Sequence, residues 1–512
     1  MMPLRRSPTV WSLATLCEGW ASIAPAKDRS IGALTLNSRE VGPGSLFLAC
    51  PGTRGHGLDH ALQAQARGAE AILYEPGGRW GASEIASLAQ QLRVPLVRFP
   101  GLRSHASALA GRFYGEPSRS LQVLGITGTN GKTSVSHYLA QALGREVRCG
   151  IVGTLGNGFP GALAVGTHTT PDPVRLQGLL AALLEQGAGA IAMEVSSHAL
   201  DQGRAAAVRF HTAIFTNLTR DHLDYHGDMA RYAGAKQRLF VTPGLHCAVL
   251  NWDDPMSREI LAALAPQVTL AVYGTTPAPL PEEVGYWIRV EQIQTLKRGM
   301  RLRLSSSAGD GELTTALLGR FNASNLLAVG ATLLSRGLDL QRVLEELARI
   351  QGVPGRMECF GAADQPLVVV DYAHTPDALE QALSSLRPHV AGRLITMIGC
   401  GGDRDQAKRP LMGAVAERLS DQVILSDDNP RWEDAEAIIG DILGGIQVPD
   451  KVKVERNRAL AIRWAICSAD RDDAVLVAGK GHETTQQIGD LKVHFSDRAQ
   501  VVQVLRERGR RV

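Results

Sequence analysis

Gly125-Ile-Thr-Gly-Thr-Asn-Gly-Lys-Thr133 stands between an apolar run at 121–124 and Ser134-Val-Ser-His-Tyr-Leu-Ala140, which reads as the first turns of a helix. Strand, Gly-rich turn and helix start together make an anion cradle, in which backbone N–H groups and the positive end of the helix dipole face a phosphate chain. Lys132 can reach the outer phosphates, and Thr133 can offer its hydroxyl to a magnesium ion. The match to the general phosphate-loop pattern is imperfect, because Ile126 takes the place of its first Gly. The question narrows to which nucleotide enzyme uses a loop of this form.

Working outward, 512 residues predict about three or four domains. With 44% hydrophobic and 21% charged residues the composition is that of an ordinary soluble globular protein. A net charge of +3 with scattered Lys and Arg argues against nucleic acid as a partner, so any phosphate binding is expected to be local. The seven cysteines are dispersed and form no C-x-x-C pair, which fits reduced thiols in a cytoplasm. Glu18 interrupts the weakly apolar stretch after Arg5 and Arg6, so no signal peptide is expected. No run approaches the ~18 apolar residues of a membrane span. A cytoplasmic protein without membrane contact is expected.

Three segments separate by pattern. In 1–116, short apolar runs at 45–49, 69–74 and 94–97 alternate with helical stretches such as 58–67, which means α/β. Tyr114-Gly-Glu-Pro-Ser118 is a turn-rich boundary. In 117–350, apolar strands at 190–195, 212–215, 248–250 and 270–273 with helices between them predict a mostly parallel sheet. Residues 286–318 turn alternating and hairpin-like, a small antiparallel sheet, and helical stretches at 323–336 and 340–350 close the segment. In 351–512, strands at 367–370, 394–398, 423–425 and 474–477 alternate with helices, as in a doubly wound Rossmann-like sheet.

Glu194 ends a strand and opens Glu194-Val-Ser-Ser-His198. An acid there, in the sheet that carries the phosphate loop, suits magnesium, although alone it reads equally as a solvated strand end. Next, Thr216-Asn-Leu-Thr-Arg-Asp-His-Leu-Asp-Tyr-His-Gly227 crowds two histidines and several acids into a dozen positions. Zinc is conceivable, but the phosphate loop makes a magnesium-nucleotide site more economical. Lys236, on its own, reads as a solvated helix lysine.

Thr127-Gly-Thr-Asn-Gly-Lys-Thr133, Glu194 to His198, Asn217 to Gly227, Gly319-Arg-Phe-Asn-Ala-Ser-Asn325, Pro354-Gly-Arg-Met-Glu358 and Asp371-Tyr-Ala-His-Thr-Pro376 follow in one order. That set resembles the ATP-dependent Mur ligases of peptidoglycan synthesis over nearly the whole chain. It is most similar to the members that add 2,6-diaminopimelate to a nucleotide-linked muramoyl dipeptide. The resemblance implies that a substrate carboxylate attacks the γ-phosphate of ATP to give an acyl phosphate, which the amine of the incoming amino acid then attacks. It implies three domains: 1–116 binding the UDP-sugar, 117–350 binding ATP, and 351–512 binding the amino acid. The partners are small-molecule substrates, and a monomer is expected.

By the same resemblance, Gly128, Thr129, Asn130, Gly131, Lys132 and Thr133 hold the phosphates, with Asn322 near the adenine and Arg356 and Asp371 also on the nucleotide. Thr133 and Glu194 hold magnesium, and Glu194, His222 and Lys236 serve a second ion. Lys236 matches a lysine that the family carbamylates with carbon dioxide, which would turn a cation into a carboxylate-like ligand. Lys132, Glu194, His222 and Lys236 form the implied catalytic set. Ser38, in Leu36-Asn-Ser-Arg39, resembles a uridine contact, and Thr169, Thr170, Ser196, Gln202 and Arg204 resemble contacts to sugar and peptide. The loop Gly52-Thr-Arg-Gly-His-Gly57 departs from the family's pattern and receives no contact.

Gly399-Cys-Gly-Gly-Asp-Arg-Asp405, Asp428-Asn-Pro-Arg431 and Gly479-Lys-Gly-His-Glu483 each leave a strand's carboxyl end, where open α/β sheets place ligands. Diaminopimelate carries a second amino-acid head. Arg404 and Arg431 suit its carboxylate, and Glu483 with the carbonyl of Gly479 suits its ammonium. Asp428, Asn429, Pro430 and Arg431 match the family's diaminopimelate signature. Lysine-adding relatives lack the equivalent Arg. The signature also sets the chain apart from alanyl-alanine-adding ligases and from folylpolyglutamate synthetase. A nucleotide switch would need the absent Asn-Lys-x-Asp motif, and a non-catalytic scaffold would show eroded site residues.

Overall fold

The computed structural model describes residues 10–52, 55–166 and 168–509. Arg5, Arg6 and, within the 52–57 loop, Thr53 and Arg54 lie outside the described residues. Two compact units divide the chain: Met1–Tyr273 with Leu280–Tyr286, and Gly274–Pro279 with Trp287–Val512.

The first unit opens with a parallel sheet in chain order: Ala33–Thr35, Ser45–Ala49, Ala69–Tyr74 and Leu96–Arg98. Alternate residues of these strands go to opposite faces. Leu46, Leu48, Ala71 and Leu73 enter one core, while Phe47, Ala49, Ile72 and Tyr74 enter another. Burial on both faces is why the strands read as near-continuous apolar runs. The run expected at 94–97 pairs only from Leu96, because Pro95 has no N–H for the ladder and contributes its carbonyl to Ile72 instead. The helical stretch at 58–67 splits into a 3-10 turn, Gly57–His60, and a helix, Ala61–Ala66.

A second sheet of this unit carries the phosphate loop. Its neighbours run Ala162–Ala164, Gly156–Phe159, Cys149–Gly153, Ala190–Glu194, Gln122–Thr127, Phe210–Phe215, Cys247–Asn251, Thr269–Gly274. From Cys149–Gly153 onward the pairing is parallel. The chain leaves Gln122–Thr127 first to one side and later to the other, so the loop sits at the reversal of strand order, where a crevice opens at the carboxyl ends. The antiparallel edge pair is hidden in the sequence by its glycines. A Cβ on Gly156 or Gly158 would lie 2.6 or 2.5 Å from a carbonyl oxygen of the neighbouring strand.

In the second unit the alternating pattern becomes antiparallel pairing of Val284–Leu296, Gly299–Ser306 and Gly309–Thr315. Helices Arg320–Ser335 and Leu340–Ala348 follow. The last sheet runs Glu358–Phe360, Leu367–Asp371, Ala474–Ala478, Leu394–Ile398, Gln422–Leu425, Lys453–Val454, parallel except at its first strand. Leu367, Val369, Leu476 and Leu425 face the helices Pro376–Leu386, Lys408–Leu419 and Ala435–Leu443. Val368, Val370, Val475 and Ile424 face Arg458–Ser468 and Asp497–Gly509 on the other side. The sheet is therefore doubly wound. None of the seven cysteines forms a disulfide. No helix among the described residues is long and apolar enough to cross a membrane.

Candidate active site

In the first unit the helix Lys132–Leu143 starts at Gly131, in a left-handed conformation and with no side-chain cap on its first-turn N–H groups. The N-terminal half of the loop is held by its neighbours. Thr129 N donates to Asn217 O at 2.8 Å, Asn130 N to Asn217 Oδ1 at 2.9 Å, and Thr216 Oγ1 to Asn130 O at 2.6 Å. A Cβ on Gly128 (φ +149) would fall 1.8 Å from Thr216 Oγ1, so this position requires glycine. The N–H groups of Thr129 and Asn130 are thus taken by Asn217, so Asn217 and Thr216, to which sequence reasoning gave no individual role, fix the shape of the loop.

Glu194 is buried rather than solvated, at 1% exposure. Its Oε2 accepts from Thr133 Oγ1 at 2.9 Å and Thr154 Oγ1 at 3.0 Å, and its Oε1 from Thr154 N at 2.8 Å. Gly153 makes this approach possible, since its Cβ would lie 2.2 Å from Glu194 Oε1. Thr154 also meets Thr169 Oγ1 at 3.0 Å. Nothing in the sequence around Thr154 marks it; only the adjacency of its strand to Ala190–Glu194 does.

The reading of Lys236 as a solvated lysine is overturned, because the side chain is buried at 1% exposure. Helix Met229–Gln237 turns Tyr232 and Lys236, one turn apart, to the same inner face, and Nζ lies 4.3 Å from the Tyr232 ring centroid. Its Nζ donates to Gly128 O at 2.7 Å, and Lys132 Nζ donates to that same oxygen at 2.8 Å. Two ammonium groups on one carbonyl repel. Burial, reinforced by Lys132, holds the Lys236 amine well below the usual lysine range.

His222 has a left-handed backbone (φ +53), and its half-exposed ring lies edge-on to His198 with centroids 4.8 Å apart. Burial and the neighbouring His222 and His226 push His198 down to about 4. Asp224 is exposed, and Asp228 caps the Met229–Gln237 helix. Ser196 caps helix Ser197–Asp201, and its N–H donates to Thr170 Oγ1 at 3.1 Å. Arg204 donates to Thr170 O at 2.9 Å and twice to Gln202 Oε1, at 2.9 and 2.7 Å. Gln202 is held in turn by Tyr225 OH at 3.1 Å, which donates to Asp201 at 2.9 Å. Thr169, Thr170, Ser196, Gln202 and Arg204 therefore share one network beside Glu194. Ser38 lies apart in the N-terminal sheet region, bonded to Gln63 Oε1 at 2.9 Å.

In the second unit, Asp371 accepts from Met357 N and Ala373 N, both at 2.7 Å, and burial pushes its carboxyl up. The Arg356 guanidinium lies 4.5 Å from the Tyr372 ring centroid. Asn322 is buried, donating to Leu318 O at 2.9 Å and accepting from Asn325 at 3.2 Å, so it also shapes its helix start.

The loops after three adjacent strands meet at the carboxyl end of this unit's parallel strands. Arg431, left-handed at φ +54, donates from Nη1 to Gly402 O at 2.5 Å, and its N–H donates to Gln487 O at 3.1 Å. Asp428, Asn429 and Pro430 are buried, Arg404 is exposed, and Gly479 (φ +112) passes so close that a Cβ would meet Asp428 Oδ2 at 2.8 Å. Burial pushes Asp428 up, whereas Glu483, only partly buried and beside Lys480 and Asn429, is held below the usual range. Sequence reasoning missed the supports. Lys480 is fully buried between the pocket's acids. Arg458, paired with Asp497 in full burial, donates to Ala478 O at 3.0 Å, directly behind Gly479. Hairpin Thr485–His494 supplies Gln487 N to Asn429 Oδ1 at 3.0 Å. Buried Arg409 grips Glu433, which accepts from Asp403 N and so fixes the 401–405 turn.

A Gly-rich loop opening a helix in one unit and loops bearing both signs of charge in the other are the arrangement expected of a nucleotide-dependent ligase. Three consecutive stretches match family descriptions: "Mur ligase family, catalytic domain" at 30–114, "Mur ligase middle domain" at 126–333 and "Mur ligase, glutamate ligase domain" at 355–481. The chain belongs to the Mur ligase family and has its three-domain α/β fold. Proteins called UDP-N-acetylmuramoyl-L-alanyl-D-glutamate–2,6-diaminopimelate ligase are similar to it: that of Alkalilimnicola ehrlichii is 51% identical over 97% of this chain and 99% of its own. That of Pseudomonas aeruginosa is 52% identical over 94% and 96%. A solved structure of the same name superposes with a TM-score of 0.70 at 33% identity, covering 98% of this chain and 100% of that one. The MurF ligase of Thermotoga maritima, solved in complex with ADP, shares the fold at 17% identity, with a TM-score of 0.60 over 94% and 98% of the two chains.

Proposed function

We propose that this protein is an ATP-dependent acid–amino-acid ligase that adds 2,6-diaminopimelate to UDP-N-acetylmuramoyl-L-alanyl-D-glutamate in peptidoglycan synthesis. The observation that carries this reading is the pocket around Arg431 and Glu483, which offers both signs of charge to one amino-acid head. Near-full-length likeness to ligases of that name supports it. The substrate carboxylate takes the γ-phosphoryl group of ATP, ADP departs, and the acyl phosphate is attacked by the amine with loss of phosphate and a proton. Two anions approach in the first step, so positive charge must be concentrated between them.

Thr133 and Glu194 fit a magnesium ion: a hydroxyl and a buried carboxylate oxygen, both hard donors, stand 2.9 Å apart. Among the described residues no group of three or more His, Cys, Asp and Glu could hold a metal by itself, so nucleotide oxygens and water would complete its shell. Bound there, magnesium would neutralise phosphate charge. Lys132 and the helix start at Gly131 orient the phosphates, together with Gly128, Thr129 and Asn130. Lys236 is the carbamylation site: burial favours its neutral amine, which can add to carbon dioxide with loss of a proton, and the carbamate together with Glu194 and His222 would hold a second magnesium. Asn322, Arg356 and Asp371 keep the nucleotide role that family likeness gives them. Ser38, Thr169, Thr170, Ser196, Gln202 and Arg204 take the UDP-sugar peptide. Arg404, Asp428, Asn429, Pro430, Arg431, Gly479 and Glu483 take diaminopimelate. The functional division is 1–116, 117–350 and 351–512, in a monomeric cytoplasmic enzyme.

Phosphate release from ATP, measured with the muramoyl dipeptide nucleotide and each amino acid in turn, tests this. Release dependent on diaminopimelate is expected; activity with glutamate on folate and none with diaminopimelate would overturn the reading.

A further inference from the structure

Lys480 lies between Gly479 and Gly481, and its side chain is 0% exposed. Nζ is 3.0 Å from Asn429 Oδ1, 3.0 Å from Glu483 Oε2 and 3.5 Å from Asp428 Oδ1, one acceptor for each of its N–H bonds. Asn429 closes the ring by donating from Nδ2 to the same Glu483 Oε2 at 2.9 Å. Gln487 N, at 3.0 Å from Asn429 Oδ1, fixes which way that amide faces. The other oxygen of Glu483, Oε1, takes no hydrogen bond from the described residues, and the side chain is 32% exposed. The carboxylate is therefore half committed to Lys480 and half presented outward.

We infer that Lys480 determines the amino-acid selectivity of the pocket, by offsetting from behind one of the two charges of the Asp428–Glu483 pair so that only a side chain bearing both an ammonium and a carboxylate is held well. This rests on the amino-acid pocket assigned above. Asp428 and Glu483 without Lys480 would attract any cationic side chain, lysine included. With Lys480 in place the three groups carry one net negative charge, which Arg431 balances, so a lone ammonium gains little and leaves Arg431 without an anion. A zwitterionic head pairs its ammonium with Glu483 Oε1 and its carboxylate with Arg431. Discrimination arises from a repulsive element as much as from an attractive one. Unlike Arg431, Lys480 works without reaching the ligand.

The test is kcat/KM for diaminopimelate and for lysine in Lys480→Met and Lys480→Gln, with KM for ATP and thermal midpoint alongside. Lys480→Gln keeps a donor for Asn429 and Glu483 but not the charge, and it decides the matter should Lys480→Met not fold. The lysine-to-diaminopimelate ratio is expected to rise about 10-fold or more in both, with KM for ATP changed less than about 2-fold. Because Lys480 acts through Glu483, Lys480→Met placed on Glu483→Gln should add little to KM for diaminopimelate. An unchanged ratio in the folded variants, with rates falling only as the thermal midpoint falls, would make Lys480 merely structural and overturn the inference. Arg431→Ala separates the two levels. If it leaves KM for diaminopimelate unchanged, the pocket itself is misassigned. If it raises that KM while the Lys480 ratio stays flat, only this inference fails.

Discussion

The two units each bury a lysine almost completely, at 1% exposure for Lys236 and 0% for Lys480, and surround it oppositely. Lys236 meets a carbonyl shared with a second lysine and makes no ion pair within 4.0 Å among the described residues. Lys480 meets two carboxylates and an amide oxygen. Burial alone penalises an ammonium in both places. The partners decide the outcome: the first site favours a neutral, reactive amine, and the second compensates a fixed charge. A lysine kept for its chemistry and a lysine kept for its charge are thus told apart by their acceptors.

The largest expected effect breaks the first half of that comparison. Lys236→Ala should lower the ligation rate by about 1,000-fold, with partial recovery on adding a short-chain carboxylate that fills the space of the carbamate. Wild-type activity in this variant without any additive would sink the carbamate assignment. Next, Arg431→Ala should raise KM for diaminopimelate by about 100-fold while leaving that for ATP nearly unchanged. Equal effects on both constants would mean that the pocket is misplaced.

Much of this was legible beforehand. The apolar runs at 45–49 and 367–370 announced strands of α/β layers, and the glycines around Lys132 announced the phosphate loop. The antiparallel edge at Gly156–Phe159 was not legible, since glycine carries no side-chain pattern. Lys236 misled because the 3.6-residue period assigns a helix position to a face without telling a solvated lysine from a buried one. Lys480 carries a weaker signal in its sequence, a glycine on each side, and both glycines take positive φ (+112 and +51), which gives a buried charge room against neighbouring backbone. Thr154, Asn217 and Arg458 act through strand adjacency and packing between segments far apart in sequence, which no local pattern encodes.

A smaller effect concerns the oxygens around Glu194. Thr154→Val keeps the shape but removes the hydroxyl at 3.0 Å, and should raise the magnesium concentration for half-maximal rate about 10-fold. An unchanged magnesium requirement would show that Thr154 only fills space. The smallest effect lies at the support of the amino-acid pocket. Arg409 holds Glu433 down at about 2 against an ordinary value of 4.5. A depressed carboxyl contributes stability that is fully present above about pH 4.5 and is lost as pH falls toward 2. Denaturant titrations between those limits should show a shallower pH dependence in Glu433→Gln than in the wild type; identical slopes would dismiss the linkage.

The most direct test of the central claim is product mass after incubating the muramoyl dipeptide nucleotide with ATP, magnesium and an equal mixture of diaminopimelate and lysine. A product heavier by one diaminopimelate residue is predicted. A predominantly lysine-bearing product, or no product while ATP is consumed, would contradict the account.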